Sequence, residues 1–284
     1  MSTAEAKPAA PGRVPPAVSL LSGAFAGLSV DVALFPLDTV KTRLQSPQGF
    51  VKAGGFKGVY NGVTAAAGGS MPGAGLFFCA YETFKPLLQD AFGFSPALAQ
   101  MAAASSAEVV ACLVRVPTEV VKQRMQTGLE KSALAAVPGI VKTEGVAGLY
   151  SGFGVTVFRE IPFSAIQFPI YEELKISWAK MQGTKQVNSV QSATCGSVAG
   201  AVAAAVTCPL DVIKTRLMLG SDKNHKPYRG AADVVSRILR DEGALTFLSG
   251  IQPRVMWISI GGFVFFGAYE GTKSALLSVS VFHK

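Results

Sequence analysis

Charged residues recur in this chain in a pattern that suits reversible ion pairing rather than bond breaking. Three hexapeptides share the form proline–x–acid–x–x–base: Pro36-Leu-Asp38-Thr-Val-Lys41, Pro117-Thr-Glu119-Val-Val-Lys122 and Pro209-Leu-Asp211-Val-Ile-Lys214. Acid and base three residues apart share one helix face, and the proline kinks that helix. Each copy adds a base two residues on, at Arg43, Arg124 and Arg216. A second motif alternates with the first: Tyr81-Glu82-x-x-Lys85, Tyr171-Glu172-x-x-Lys175 and Tyr269-Glu270-x-x-Lys273. One copy of either reads as solvated charge at a helix end. Three copies in strict alternation call for a symmetric cause.

A third set of positions lies between these motifs. Counting thirteen residues back from Glu82, Glu172 and Glu270, or seven on from Gly62, Gly152 and Gly250, reaches Gly69, Arg159 and Trp257 both ways. Arg159-Glu160 sits in an apolar stretch, where adjacent opposite charges are costly unless they face a polar cavity. A guanidinium takes a carboxylate through two hydrogen bonds, and a glutamate takes an ammonium. The pair therefore suits the head of an amino acid; with no ligand it is a structural ion pair. Asp31 and Glu108 are acids inside apolar segments, able to offset a cationic ligand or Arg115. Trp257 offers an indole face to a purine, and Gly69 leaves room for a bulky ligand.

The elements that must position these residues are long and apolar. Runs at 18–44, 63–88, 96–126, 153–178, 188–218 and 251–277 each exceed the ~20 residues that span a bilayer. All six are predicted to be transmembrane helices. Two spans per repeat return the chain to its starting side, which implies a pseudo-threefold axis along the membrane normal. The repeats are 17–90, 95–180 and 188–277, after a Pro/Ala-rich tail at 1–16 expected to be disordered. The loops inside repeats (45–62, 127–148, 219–249) hold nine Lys/Arg and those between repeats (86–95, 176–187) hold two. That bias places the former on the inner side and both termini outside. Residues 229–241 read as a short amphipathic helix at the interface.

Composition agrees. Only 15% of the 284 residues are charged, against roughly 25% in soluble proteins, and mean hydropathy is +0.37. The net charge of +8 falls largely in loops beside apolar runs, so it reads as an orientation signal and not as a nucleic-acid surface. The four cysteines lie in apolar segments without a CxxC and read as packing residues; the two histidines are apart. No metal site, cofactor or enzyme chemistry is implied.

These motifs resemble the mitochondrial carrier family, over nearly the whole chain. The resemblance implies an all-α bundle of six helices around a central cavity, in the mitochondrial inner membrane, without enzymatic activity. It implies a matrix-side gate of Asp38–Lys122, Glu119–Lys214 and Asp211–Lys41, braced by Gln45 and Gln126, with Met218 in the third brace position. It implies a cytoplasmic gate of Glu82–Lys175, Glu172–Lys273 and Glu270–Lys85. Gly69, Arg159 and Trp257 match the family's substrate contact points, with Glu160 and Asp31 nearby. The family's acid-Gly…aromatic-base-Gly signature is present in weakened form at Glu144-Gly145…Gly152, Gly55…Gly62 and Glu242-Gly243…Gly250; in the family such turns hold cardiolipin at helix N-termini. Phe35–Phe50, Ala107–Pro117 and Arg159–Pro169 resemble the branch that exchanges cytosolic S-adenosyl-L-methionine for matrix S-adenosylhomocysteine as a monomer. A carrier of another amino acid or nucleotide, a non-transporting adaptor and a proton leak are the alternatives.

Overall fold

The computed structural model describes residues 16–90, 93, 95–184 and 187–281; the rest of the N-terminal tail lies outside them. In chain order the helices are α1 (Pro16–Gln45), α2 (Val63–Asp90), α3 (Pro96–Gln126), α4 (Ala133–Glu144), α5 (Val146–Leu149), α6 (Phe153–Met181), α7 (Ser189–Val206), α8 (Cys208–Leu219), α9 (Ala231–Asp241) and α10 (Ile251–Val281), with a 3-10 turn at Ala244–Leu248 before the last.

The long helices form a closed ring. α2 packs along α3, α6 along α7, and α10 along both α7 and α1. Small residues make these seams. Ala99, Ala103, Ala107 and Ala111 recur every fourth residue of α3 and are fully buried, as close helix approach in lipid requires. Gly69 belongs to the same seam: a Cβ there would lie 2.4 Å from Thr118 Oγ1. Its missing side chain makes room for Thr118 of α3. Gly200 likewise admits Ile258 of α10.

At one end, α1, α3 and α8 converge on one another. α1 and α3 run through Pro36 and Pro117, but the run expected as one span at 188–218 breaks at Thr207, bending by 65°. Pro209 has no N–H to extend the ladder and sits in the first turn of α8. Thr207 Oγ1 donates to Ala203 O at 2.7 Å and accepts from Arg254 Nη2 at 2.9 Å. Among the described residues, α2 alone is long and apolar enough to cross a membrane as a single helix, and the bent α7–α8 pair passes jointly. α6 carries Arg159-Glu160 and Glu172-Glu173 along its length.

The loops at the convergent end are unequal. α9 forms where an amphipathic helix was expected and buries Val234 and Ile238 against Val212 and Ile213. The second repeat has a matching helix, α4, in a stretch read as loop; Pro138 masked it, yet Ser132 caps it and Ile140 anchors it. The first repeat has only turns over 46–62.

Candidate functional site

Three ion pairs close the convergent end. Lys122 Nζ lies 2.7 Å from Asp38 Oδ2, Lys214 Nζ 2.7 Å from Glu119 Oε1, and Lys41 Nζ 2.5 Å from Asp211 Oδ2. Each pair joins one repeat to the next, so the ring is cyclic. Gln126 Nε2 donates to Asp38 Oδ2 at 2.9 Å, beneath the first pair. Gln45 holds a different set: it accepts from Thr215 Oγ1 at 2.8 Å and donates to Ser249 O at 3.2 Å. Met218, in the third position, is buried among apolar side chains of α3 and α6.

A second cyclic layer lies below, made by the second base of each motif. Arg43 Nε donates to Gln126 O at 2.7 Å, Arg124 Nε to Met218 O at 3.1 Å, and Arg216 Nε to Gln45 O at 2.6 Å. Arg124 and Arg216 also make two-pronged pairs with Glu144 and Glu242, all at 2.7–2.8 Å. The acids of the weakened lipid signature therefore anchor the loops to the gate helices. The first repeat has no such acid, and Arg43 donates instead to Gly55 O, Lys57 O and Gly58 O. Gly62, Gly152 and Gly250 complete the symmetry. Their φ values are 91°, 83° and 77°, the left-handed region glycine favours. A Cβ on each would approach Lys122 O, Lys214 O and Lys41 O respectively, at 3.0–3.4 Å.

Beside the ring lies a cavity of about 790 Å³, bordered by Asp38, Lys41, Glu119, Lys122 and Lys214 of the gate. Asp31, Gly69, Arg159 and Trp257 all line it, with Phe163 one turn beyond Arg159. Glu160 does not; it flanks the wall and pairs with Arg159. Glu108 pairs with Arg115 of its own helix, and only Arg115 reaches the cavity.

The three gate acids differ in their surroundings. Asp38 and Glu119 have side chains 23% and 21% exposed, each with one lysine. Asp211 is 2% exposed and holds three cations. Besides Lys41, Arg159 Nη1 donates to its Oδ1 at 3.0 Å, and Arg254 pairs with its Oδ2. Arg159, expected to take a ligand's carboxylate beside Glu160, is thus also tied to the gate. Arg254, not singled out in the sequence, lies on the cavity floor with its side chain 3% exposed. Signals existed: it is an arginine just inside an apolar run, one helical turn before Trp257.

At the opposite end the described side chains make local contacts. Lys175 Nζ reaches Glu172 Oε1 of its own helix at 2.9 Å and sits 4.4 Å from the Tyr171 ring centre. Lys85 lies over Tyr81 at 5.7 Å. No ion pair joins Glu82 to Lys175 among the described residues. The side chains of Glu270 and Lys273 lie outside the described residues. Of the cysteines, Cys112, Cys195 and Cys208 are buried as packing residues would be, while Cys79 is exposed.

The family model described as "Mitochondrial carrier protein" matches residues 12–50, 48–92, 94–182 and 185–280. The chain is 51% identical over 262 residues to the mitochondrial S-adenosylmethionine carrier protein of Mus musculus, covering 92% of this chain and 95% of that protein. It is 49% identical over 261 residues to the protein of the same name from Danio rerio, covering 91% and 97%. It is 47% identical over 269 residues to the S-adenosylmethionine mitochondrial carrier protein homolog of Drosophila melanogaster, covering 93% and 95%.

Proposed function

The chain belongs to the mitochondrial carrier family, six-helix, three-repeat transporters of the mitochondrial inner membrane, and we propose that its substrate is S-adenosyl-L-methionine. The observation that carries this reading is the similarity of about half of all positions, over nine-tenths of the chain, to S-adenosylmethionine carriers of vertebrates and an insect. The cavity agrees in size and chemistry. About 790 Å³ is within the range of small-molecule sites. S-adenosyl-L-methionine offers a carboxylate to Arg159, a sulfonium to Asp31 and an adenine to Trp257, all of which line the cavity, and an ammonium to Glu160, which would turn from Arg159 to reach it. Gly69 contributes a flat wall.

In this reading S-adenosylhomocysteine is the matrix counter-substrate, and exchange proceeds by alternating access. The gate of Asp38, Lys41, Glu119, Lys122, Asp211 and Lys214, with Gln45 and Gln126, opens to the matrix as the gate of Glu82, Lys85, Glu172, Lys175, Glu270 and Lys273 closes to the cytosol. The units 17–90, 95–180 and 188–277 move about the site as a monomer. The tail 1–16 and both termini face the intermembrane space. Cardiolipin binds at the turns before α2, α6 and α10, without nucleic acid, metal or cofactor in the cycle.

The test is uptake into liposomes bearing the purified protein, across amino acids, nucleotides and S-adenosyl compounds. Labelled S-adenosyl-L-methionine should enter only when S-adenosyl-L-methionine or S-adenosylhomocysteine is loaded inside. Preference for another solute overturns the substrate; no transport of any solute favours an adaptor.

A further inference from the structure

The three gate pairs look alike in sequence and all border the cavity, through Asp38, Lys41, Glu119, Lys122 and Lys214, but among the described residues only the Asp211 pair is also tied to the arginines of the cavity wall. Asp211 of α8 is held by Lys41 from α1, Arg159 from α6 and Arg254 from α10. Three cations on one buried carboxylate leave positive charge in excess, offset in part by Glu160 on Arg159. Donor capacity is also unspent: Arg159 Nε, Arg254 Nε and Arg254 Nη1 are buried and have no hydrogen-bond partner among the described residues, and neither has Asp211 Oδ2, so Arg254 holds Asp211 by charge and not by a hydrogen bond. A buried N–H without an acceptor is costly, and a charged one more so. Both guanidinium groups line the cavity. A second carboxylate arriving there would find two cations, each with an idle donor, shared with an acid that has a third cation in reserve.

We propose that Arg254 is a positioning residue that, with Arg159, exchanges the carboxylate of Asp211 for the α-carboxylate of the substrate, so that loading the site releases this sector of the gate. The proposal rests on the reading of the chain as a carrier of S-adenosyl-L-methionine. Before binding, both arginines clamp Asp211. On binding they turn to the substrate, and Asp211 keeps Lys41 alone, as Asp38 keeps Lys122 and Glu119 keeps Lys214. The sector between the third and first repeats then has the strength of the other two and can open with them. No proton or bond is transferred; one carboxylate replaces another. A ligand lacking the carboxylate can occupy the cavity but leaves Asp211 clamped.

The consequence is a separation of binding from transport. Two ligands serve as probes: S-adenosyl-L-methionine and its analogue without the α-carboxylate. Binding is read as ligand-induced thermal stabilisation of the purified carrier, and transport as uptake into liposomes. The wild type should bind the analogue yet move it at least about tenfold more slowly, relative to occupancy, than S-adenosyl-L-methionine. Arg254→Gln should reduce that preference by about tenfold, the scale of one charge-assisted hydrogen bond, and Arg254→Lys should lie between. A merely structural role would lower uptake of both ligands together and leave the ratio unchanged. An unchanged ratio in Arg254→Gln overturns the proposal; if that variant does not fold, an unchanged ratio in Arg254→Lys does so. Absence of S-adenosyl-L-methionine uptake by the wild type, with another solute moved, instead overturns the reading of the substrate and this proposal with it.

Discussion

The proline-motif ring and the tyrosine-motif ring use acid and base at the same spacing, yet the first is closed across repeats while the described lysines of the second take local partners. In the first, every base leaves its own helix to reach an acid of another repeat, at 2.5–2.7 Å. In the second, Lys175 turns back to Glu172, three residues away on α6, and Lys85 lies on the Tyr81 ring. Burial follows closure: Lys214 is 8% exposed in the first ring, while Glu172 is 58% exposed in the second. Helix convergence makes the difference. Where α1, α3 and α8 meet, bases reach a neighbour's acid; at the other end Lys175 and Lys85 take local partners. The tyrosines give the open ring a resting place for its cations, through attraction to the ring face.

The comparison is broken most severely by removing charge from the closed ring where it is least hydrated. Asp211→Asn leaves Lys41, Arg159 and Arg254 facing one another in a buried site. Removing one partner of a buried pair costs ~3–5 kcal/mol, and three bereft cations put this case at the upper end. Asp38→Asn should cost less than half as much, because both members of that pair are more than a fifth exposed. Thermal unfolding of the purified variants measures both. Equal losses would show that the extra arginines add nothing to the ring.

Charge exchange tests the two rings side by side, with a smaller effect. Asp38→Lys with Lys122→Asp should recover part of both the stability and the uptake that either single change removes, about 1–2 kcal/mol of coupling. Glu82→Lys with Lys175→Glu should recover uptake alone, because that pair is not made in the conformation described here. Recovery of stability in the second pair as well would mean that both rings are closed in the purified protein.

Repeat symmetry made the fold and the closed ring legible. It aligned Asp38, Glu119 and Asp211, and it located Gly69, Arg159 and Trp257 on what proved to be the cavity wall. The same symmetry hid Arg254. Its counterparts three residues before Gly69 and Arg159 are Ala66 and Thr156, so a search for recurrence passes over it. Arg43, Arg124 and Arg216 recurred visibly, but their common partners are main-chain carbonyls, which leave no trace in a sequence. At Gly69 the contact with Thr118 was hidden, because an absent side chain does not say that a neighbouring helix uses the space. The break at Thr207 was also hidden. All three motifs carry the proline, and the Arg254 contact to Thr207 comes from a helix 47 residues away in sequence. The open ring shows a different limit: a motif names the partners of a gate, while the conformation decides whether they meet.

The smallest expected effect is the sharpest test of that last point. Lys175→Ala removes one base from the open ring, where its salt bridge is within one helix and its partner Glu172 is mostly in water. An exposed pair three residues apart contributes ~0–1 kcal/mol, and the cation–ring contact with Tyr171 adds a similar small amount. Thermal unfolding should therefore shift little, far less than for Lys122→Ala, which strands Asp38 in the closed ring. Uptake should nevertheless fall, since the outer gate would close with one pair fewer. The two readouts separate because stability reports the conformation that is populated, whereas transport requires both. If Lys175→Ala were as destabilising as Lys122→Ala, Lys175 would already be paired across repeats, and the contrast between the rings would not describe the resting carrier.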